Sequence, residues 1–406
     1  MVKSSLLFCK SPTQVLTNRS VRQMKTRLFY RIFSKLVWWA LPCVDRHNFK
    51  EYCNDYSIAI AGYHTNTTLE CHYKGNKKSS RLDRIAPSYL MAYNNAFLIG
   101  HHGLLFTSNG RLICEPIIRR ERIVLEKTLR GLGLFRFICI YFMMRFNLCS
   151  GLSVRHDKDM LYWLPRICDD DGRPHYGHWI GEHLPQIRFI LQFMCSDCTI
   201  LVNSSPPIWQ QNAFSIFGIS DRPMVYVPTD KPSMRFNKIF VMTVKNVHSE
   251  AYEYDPIFRR WPRDFVAKSS PVKREIEGKK YFIPRQKEAS RVIENYEEVS
   301  ALLRSHGFVE HDTQNYNLLE EIDIFREATE IIGPFGSNLI KIMFAPNAAC
   351  LVEISTPETM DKPVWELMCA ELGIKFQCVR ARQELETLAR NWYVDVIALE
   401  KHLKGE

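Results

Sequence analysis

The second half of the chain alternates short apolar runs with segments of helical periodicity. From about residue 280, the strand-like runs are KYFIP, FVEH, EIIG, CLVEI and IKFQCV, and a helical segment separates each from the next. The helix predicted from Glu294 to His306 should end at Gly307, because glycine is favoured just after a helix C-terminus. This alternation predicts an α/β domain built on a parallel sheet with helices on both faces.

The first half has a different pattern. In AFLIGHHGLLFTSNGRLICEPI, strand-like runs flank Asn109-Gly110, which predicts a hairpin turn. Helical and irregular segments follow. We therefore divide the chain into a basic and aromatic segment (1–50), an N-terminal domain (51–235) and a C-terminal domain (236–406).

Composition indicates a globular protein with an affinity for anions. The 406 residues are 46% hydrophobic and 24% charged, and the formal net charge is +10. Such a charge favours a phosphate-bearing ligand, nucleic acid or an acidic membrane surface. The charge is dispersed and matches no nucleic-acid-binding motif, so nucleic acid is not an expected partner.

Two basic, aromatic segments could lie against a membrane. LVWWALPCV (36–44) is too short to span a bilayer, and GLFRFICIYFMMRF (133–146) is interrupted by Arg136 and Arg145. Ordinary core helices with basic flanks would show the same pattern. The expected location is cytoplasmic or peripheral to a membrane, with the lumen of the secretory pathway as the alternative; the oligomeric state is not predicted.

One loop of the C-terminal domain has the features of an anion site. In IIGPFGSNLIKIMF, a strand leads through Gly333 to Gly336 into a helix that opens at Ser337 or Asn338. Glycines let the backbone approach an anion, and the first amides of a helix can bind it. A tight turn with only a structural role is the alternative.

Positive charge follows the first strand of the same domain, in IPRQKEASRVIEN. Arg285 and Arg291 could clamp a diphosphate from that strand end. A solvated basic loop would also account for them.

The stretch HYGHWIGEHLPQIR concentrates imidazoles. On a helix beginning near Tyr176, His178 and Glu182 are four residues apart and share a face. The pattern matches neither common zinc-helix motif, so no metal is expected, although a zinc hydrolase is one alternative.

Taken in order, these blocks resemble the family 61 glycosyltransferases. The resemblance rests on HYGHWIGEHLPQIR, on YFIPRQKEASRVIENYEEVSALLRSHGFVEHD, on IDIFREATEIIGPFGSNLIKIMFAPNAACLVEI and on NWYVDVIALEKHL. It implies a GT-B-like α/β architecture, with two Rossmann-like domains facing a cleft. It also implies inverting transfer from a nucleotide-diphosphate sugar to a glycan or protein-linked acceptor, commonly without a metal or other cofactor.

The chain departs from the family pattern at several positions. A serine and a double arginine are usual where this chain has Pro284, Arg285 and Gln286. A histidine is usual at Phe335, an asparagine at Lys341, and a glutamine at Glu321. A catalytically inactive, carbohydrate-binding relative is therefore the alternative function.

The resemblance gives each candidate residue a role. His178, held by Glu182, would take the acceptor proton, although both could be structural. Trp179 is expected in the core. The donor side comprises Arg285, Arg291, Gly333, Gly336, Ser337, Asn338, Lys341 and Glu353. Lys341 could direct its charge toward a phosphate or face solvent, and Glu353 could bind ribose hydroxyls or contact the acceptor.

Overall fold

The computed structural model describes most of the chain from residue 88 onward. The described residues are 43–44, 57–60, 88–113, 121–146, 148, 153–165, 169, 173–228, 232–242, 256–269, 278–285, 292–313, 317–346, 349–360, 364–383 and 391–405. Most of the predicted segment 1–50 lies outside them, as do Gln286 and Arg291.

The described strands form three six-stranded sheets. Sheet 1, in the order β1-β6-β5-β4-β11-β7, consists of β1 (Cys43–Val44), β4 (Phe97–Ile99), β5 (Leu104–Phe106), β6 (Leu112–Ile113), β7 (Ser153–His156) and β11 (Ser233–Phe236). The hairpin predicted at Asn109-Gly110 is confirmed: it joins β5 to β6, and Gly110 has φ 81°, which favours glycine.

Sheet 2 contains a parallel run in the first half of the chain. In the order β10-β9-β8-β12-β3-β2 it consists of β2 (Ser57–Ile60), β3 (Ser88–Asn94), β8 (Met160–Tyr162), β9 (Thr199–Val202), β10 (Met224–Tyr226) and β12 (Lys238–Met242). The neighbouring strands β10, β9, β8 and β12 pair in parallel. β12 pairs with β3, and β3 with β2, in antiparallel orientation. β12 lies in the predicted C-terminal domain (236–406), yet it pairs with β8 and β3 of the predicted N-terminal domain.

Sheet 3 is the predicted C-terminal sheet. In the order β14-β13-β15-β16-β17-β18 it consists of β13 (Lys279–Phe282), β14 (Phe308–Glu310), β15 (Ala328–Pro334), β16 (Cys350–Ser355), β17 (Lys375–Gln383) and β18 (Trp392–Val394). All neighbours pair in parallel except β17 and β18. Each of the five strand-like runs predicted from residue 280 onward contributes a strand to this sheet.

The α-helices alternate with these strands. They are α1 (Glu121–Leu132), α2 (Leu134–Arg145), α3 (Tyr176–His178), α4 (Ile187–Phe193), α5 (Ile208–Ile216), α6 (Pro256–Ser269), α7 (Tyr296–Ser305), α8 (Leu318–Glu327), α9 (Pro357–Met360), α10 (Val364–Leu372) and α11 (Val396–Lys404). The predicted helix end at Gly307 is confirmed by its φ of 83°, and α7 begins two residues after Glu294. Among the described helices, none is long and apolar enough to cross a membrane.

Side-chain alternation determines how the sheets are layered. On β8, Met160 and Tyr162 point toward sheet 1, whereas Leu161 points to the opposite face. One face of sheet 2 therefore carries a second sheet in place of the helices that a doubly wound fold has there. α1 and α2 cover the outer face of sheet 1.

A single core connects the two halves. Trp163 and Trp179 of the first half belong to the same buried cluster as Phe282 and Phe344 of the second. The architecture is mixed α/β, and its parallel-containing sheets are compatible with a Rossmann-like fold. This shared core brings together the segments that carry the candidate residues of the two halves.

Candidate functional site

The histidine-rich segment is helical, but its hydrogen bonding changes along its length. After α3, residues Trp179–His183 form a π-helical turn and Leu184–Gln186 a 3-10 turn, before α4 begins. Pro185 lacks an amide hydrogen, so the α-helical ladder cannot run unbroken through this position. Turns of π-helix inside helices are frequent at functional sites. The predicted helix start near Tyr176 is confirmed, and its irregular continuation was not predicted.

His178 and Glu182 contact each other as their spacing predicts. His178 Nδ1 lies 2.9 Å from Glu182 Oε1. The imidazole side chain is 20% exposed, whereas the glutamate beneath it is fully buried. The carboxylate therefore favours the tautomer with the proton on Nδ1. Trp179 is buried in the core, as expected.

Arg285 lies against the predicted glycine turn. Its Nη1 donates a hydrogen bond to the carbonyl oxygen of Phe335 at 3.1 Å. A Cβ atom on Gly336 would overlap this Nη1 and lie 3.1 Å from Cζ. Gly336 has an extended backbone (φ 169°) that any residue can adopt, so a side chain here would act by displacing the Arg285 guanidinium.

The histidine segment and the glycine turn touch directly. A Cβ atom on Gly177 would lie 2.7 Å from both Cβ and Oγ of Ser337, which is closer than side chains can approach. Asn338 Nδ2 donates to the carbonyl oxygen of Pro284 at 3.3 Å, on the strand end that carries Arg285. Ser337 is exposed, whereas Asn338 is half-buried. The fold thus gathers residues from three separate segments at one junction.

The helix that follows the turn is not an α-helix. Residues Ser337–Phe344 form a 3-10 helix whose first hydrogen bond runs from the Leu339 amide to the Gly336 carbonyl. The amides that precede it lack acceptors within the helix, as at any helix start. Gly333 lies within β15, where a Cβ atom would approach the Ile283 carbonyl oxygen at 2.7 Å. Gly333 therefore allows close strand packing behind the turn.

The structure overturns one of the two expectations for Lys341, that it faces solvent. This side chain is only 1% exposed, and its Nζ lies 2.6 Å from Oε1 of the buried Glu321. It does not face solvent. Tyr176 donates to the other carboxylate oxygen of Glu321 at 3.1 Å, and Lys341 Nζ lies 5.3 Å from the centre of the Tyr176 ring. Lys341 thus belongs to a buried network that joins α8 to the start of the histidine segment.

Burial and ion pairing shift the pKa values of Lys341 and Glu321 in opposite directions. Burial lowers the pKa of Lys341, and Glu321 opposes that change. Burial likewise raises the pKa of Glu321, against the effect of the Lys341 charge. His311, which the sequence analysis did not single out, lies within reach of this charge. Burial, with Lys341 second, lowers the pKa of His311 to about 4. In the sequence, the only signal for His311 is its position at the end of a predicted strand.

Glu353 is buried within sheet 3. It pairs with Gly333 in the register of β16 and β15, and its carboxylate accepts a hydrogen bond from Ser355 Oγ. Burial raises the pKa of Glu353 to about 8, with a smaller contribution from Glu366 and against the effect of Ser355. The carboxyl group is therefore mostly protonated at neutral pH. Contact with a ribose or an acceptor stays a prediction for this residue.

Two further observations on the site concern Phe335 and the side chains that could bind a metal ion. Phe335 occupies the position where the family pattern has a histidine; it is buried and packs on Trp365, with ring centroids 6.1 Å apart. Within the part of the chain that the structure describes, His, Cys, Asp and Glu side chains form no group of three or more that could hold a metal ion.

Comparison with known proteins relates the segment that carries the site to one family. The family model described as Glycosyltransferase 61 matches residues 176–352. No curated protein matches the chain. The matched segment begins at Tyr176 in the buried network, contains Arg285 and the glycine turn, and ends one residue before Glu353. The resemblance predicted from the motifs is confirmed by this match, which covers residues 176–352 and so somewhat less than half of the chain.

Proposed function

We propose that the protein is an inverting glycosyltransferase that moves a sugar from a nucleotide-diphosphate donor to a carbohydrate acceptor, either a glycan or a protein-linked sugar. The family itself implies glycosyl transfer in general. One observation carries the finer proposal: Arg285, the Gly336-Ser337 turn and the His178-bearing helix lie together although they are far apart in sequence.

The diphosphate would bind at the carboxyl ends of β13 and β15. Ligands of open parallel sheets bind at that edge, where loops leave the strands. Arg285 supplies the positive charge, and the amides at the start of the 3-10 helix supply donors. Ser337 and Asn338 line the exposed side of this turn. Arg291, which lies outside the described residues, stays in the proposal on its sequence position alone.

The acceptor would approach from the histidine segment. In the proposed reaction, His178 takes the proton of the acceptor hydroxyl while that oxygen bonds to the anomeric carbon. The bond from the anomeric carbon to the diphosphate oxygen breaks on the opposite face, and its electron pair leaves with the nucleoside diphosphate. Glu182 stabilises the imidazolium that forms, and Arg285 stabilises the charge on the leaving group.

The buried residues would act indirectly in this proposal. Because Glu321 neutralises the charge of Lys341, Lys341 would position α3 and the 3-10 helix without contacting the phosphates. A GT-B arrangement, with the reaction in a cleft between the two halves and no metal, is the remaining part of the proposal.

Calorimetry with UDP, GDP and CMP and their sugars tests the donor site. We expect Arg285→Ala to weaken binding of the preferred nucleotide diphosphate roughly 10- to 100-fold, the range that loss of hydrogen bonds to a charged group produces. Arg304→Ala, at an exposed arginine of α7, is the matched control and should leave binding unchanged. Equal binding by wild type and Arg285→Ala would show that the donor site is elsewhere.

Turnover separates a transferase from an inactive relative. His178→Gln should lower kcat by about 10²- to 10⁴-fold, the usual contribution of a general base, while nucleotide affinity stays the same. Glycan binding by the wild type without turnover, measured over a broad panel of acceptors, would favour the carbohydrate-binding alternative.

A further inference from the structure

Helix α2 has apolar side chains on two opposite faces. One face packs against sheet 1 through Phe137, Ile140 and Tyr141. The opposite face carries large apolar residues that remain open to solvent. Their exposed fractions are Phe135 81%, Ile138 39%, Phe142 48% and Phe146 59%.

These four residues, which we call the α2 outer face, form a continuous stripe. They follow one another at intervals of three, four and four positions, the spacing of one side of a helix. The rings of Phe142 and Phe146 are nearly parallel, with centroids 6.3 Å apart. Leu148, just beyond the helix, is also an exposed apolar residue. Contiguous apolar surface of this kind marks an interaction site.

Positive charge borders the α2 outer face. Arg136 and Arg145 are exposed on the same helix, and Arg145 lies over the Phe146 ring at 5.5 Å. Helix α2 itself contains no aspartate or glutamate. A surface that is both apolar and basic is complementary to an apolar partner bordered by negative charge.

We propose that the α2 outer face docks on the surface of an anionic lipid bilayer. The phenylalanines would enter the boundary between headgroups and acyl chains, while the guanidinium groups bind lipid phosphates. The helix has 12 residues and so is about 18 Å long at 1.5 Å per residue, well short of the ~30 Å hydrocarbon core. It would therefore lie in the interface without spanning the membrane.

The charge distribution favours lipid over a second copy of the chain. In a twofold dimer the same patch meets itself, so the positive charges of Arg136 and Arg145 on one copy would face those on the other and repel. Anionic headgroups attract the same arginines. This inference rests on the surface of α2 and is independent of the proposed transfer reaction.

Vesicle co-sedimentation of the full chain tests the proposal. Wild type should bind vesicles of phosphatidylcholine mixed with phosphatidylserine at least tenfold more tightly than vesicles of phosphatidylcholine alone, and added salt should weaken binding. The triple variant Phe135→Ser, Phe142→Ser, Phe146→Ser should lose at least tenfold in affinity, and Arg136→Glu with Arg145→Glu should abolish the preference for the anionic lipid.

A matched control removes equally exposed apolar residues elsewhere. Ile208→Ser with Ile397→Ser changes side chains that are 70% and 69% exposed on α5 and α11, and it should bind vesicles like wild type. Circular dichroism verifies that every variant is folded. The proposal is overturned if wild type does not bind anionic vesicles, or if the triple variant binds as wild type does. A wild-type dimer that the triple variant converts to monomer, without lipid binding by either, would instead show that α2 contacts a second copy.

Discussion

At the scale of single residues, the buried Lys341–Glu321 pair connects two departures from the family pattern. Taken separately, a lysine in place of asparagine and a glutamate in place of glutamine are unrelated changes. The structure places the two side chains 2.6 Å apart in the interior. A buried charge is stable only with a partner, so each substitution requires the other.

Removing one partner of this pair should be costly. We expect Lys341→Met to lower the free energy of unfolding by about 3–5 kcal/mol, because Glu321 is left buried without a counter-charge. Lys341→Met combined with Glu321→Gln should recover most of that loss. Urea denaturation measures both.

The exposed pair Lys404–Glu400, at 2.7 Å, is the control for this experiment. Lys404→Met should change stability by less than about 1 kcal/mol, since exposed ion pairs contribute little. Equal effects of Lys404→Met and Lys341→Met would contradict the role assigned to burial.

Glu353 should make stability depend on pH. Its pKa is about 8 in the folded protein, against an ordinary value of 4.5, so between these values the folded state holds a proton that the unfolded state has lost. Stability from this group therefore falls as pH rises from about 4.5 to about 8, with a slope on the order of 1 kcal/mol per unit. His311, with its pKa lowered from 6.5 to about 4, acts oppositely over that lower range, so the decline should be clearest above pH 6.5.

Glu353→Gln should remove this decline. Urea denaturation at several pH values above 6.5 measures it, and Glu298→Gln, at an exposed glutamate, should retain the wild-type slope. A slope unchanged by Glu353→Gln would mean that this carboxyl is ionised in the folded protein.

At the scale of elements, the site depends on the contact between α3 and the start of the 3-10 helix. Neither element is stable alone, because α3 has three residues and 3-10 helices have poor hydrogen-bond geometry. Their positions are set by packing, with Gly177 against Ser337 and Arg285 against Gly336.

Gly177→Ala should disturb this contact. Its Cβ atom would lie 2.7 Å from Ser337 Cβ, so the two segments must separate, and overpacking of this kind costs about 1–3 kcal/mol of stability. Ser337→Gly in the same chain removes the two closest atoms and leaves only Cα of residue 337, at 3.2 Å, so it should restore most of the stability, as measured by thermal or urea unfolding.

Gly131→Ala on α1 is the matched control, because its Cβ atom would make only an ordinary 3.6 Å contact with His101. It should be neutral or stabilising. Failure of Ser337→Gly to rescue Gly177→Ala would mean that the helix–turn contact is not the cause.

Some elements could be predicted from the sequence, and others could not. The strands of sheet 3 and the end of α7 at Gly307 were predictable because local periodicity and a glycine C-cap encode them. The 3-10 character of Ser337–Phe344 was not, because apolar spacing over eight residues fits both helix types. The contact between His178 and Glu182 was predictable from their spacing alone.

At the scale of the whole molecule, most of the first half could not be predicted from pattern; the hairpin at Asn109-Gly110 and the helix start near Tyr176 are the exceptions. Its strands are short, and β11 and β12 return to pair with strands more than a hundred residues earlier. Local sequence does not encode such pairings. Alternation on β8 is visible in the sequence, but the partner of each face is known only once sheet 1 lies against sheet 2.

Because the two halves share one core, residues of both halves contribute to the site. Trp179 from the first half and Phe335 from the second lie in one buried cluster, so the histidine segment has a fixed position over sheet 3. This arrangement brings the segments that carry the acceptor-side and donor-side candidates into contact, through Gly177 and Ser337.

The sequence by itself determined the parallel C-terminal sheet, the resemblance to the family and the pairing of His178 with Glu182, because each depends on residues close in the chain or on motif order. Tertiary structure alone decided that Arg285 lies on the glycine turn, that Lys341 is buried against Glu321, and that Glu353 is enclosed in the sheet. Burial and charge pairing depend on neighbours distant in sequence, and only folding brings those neighbours together.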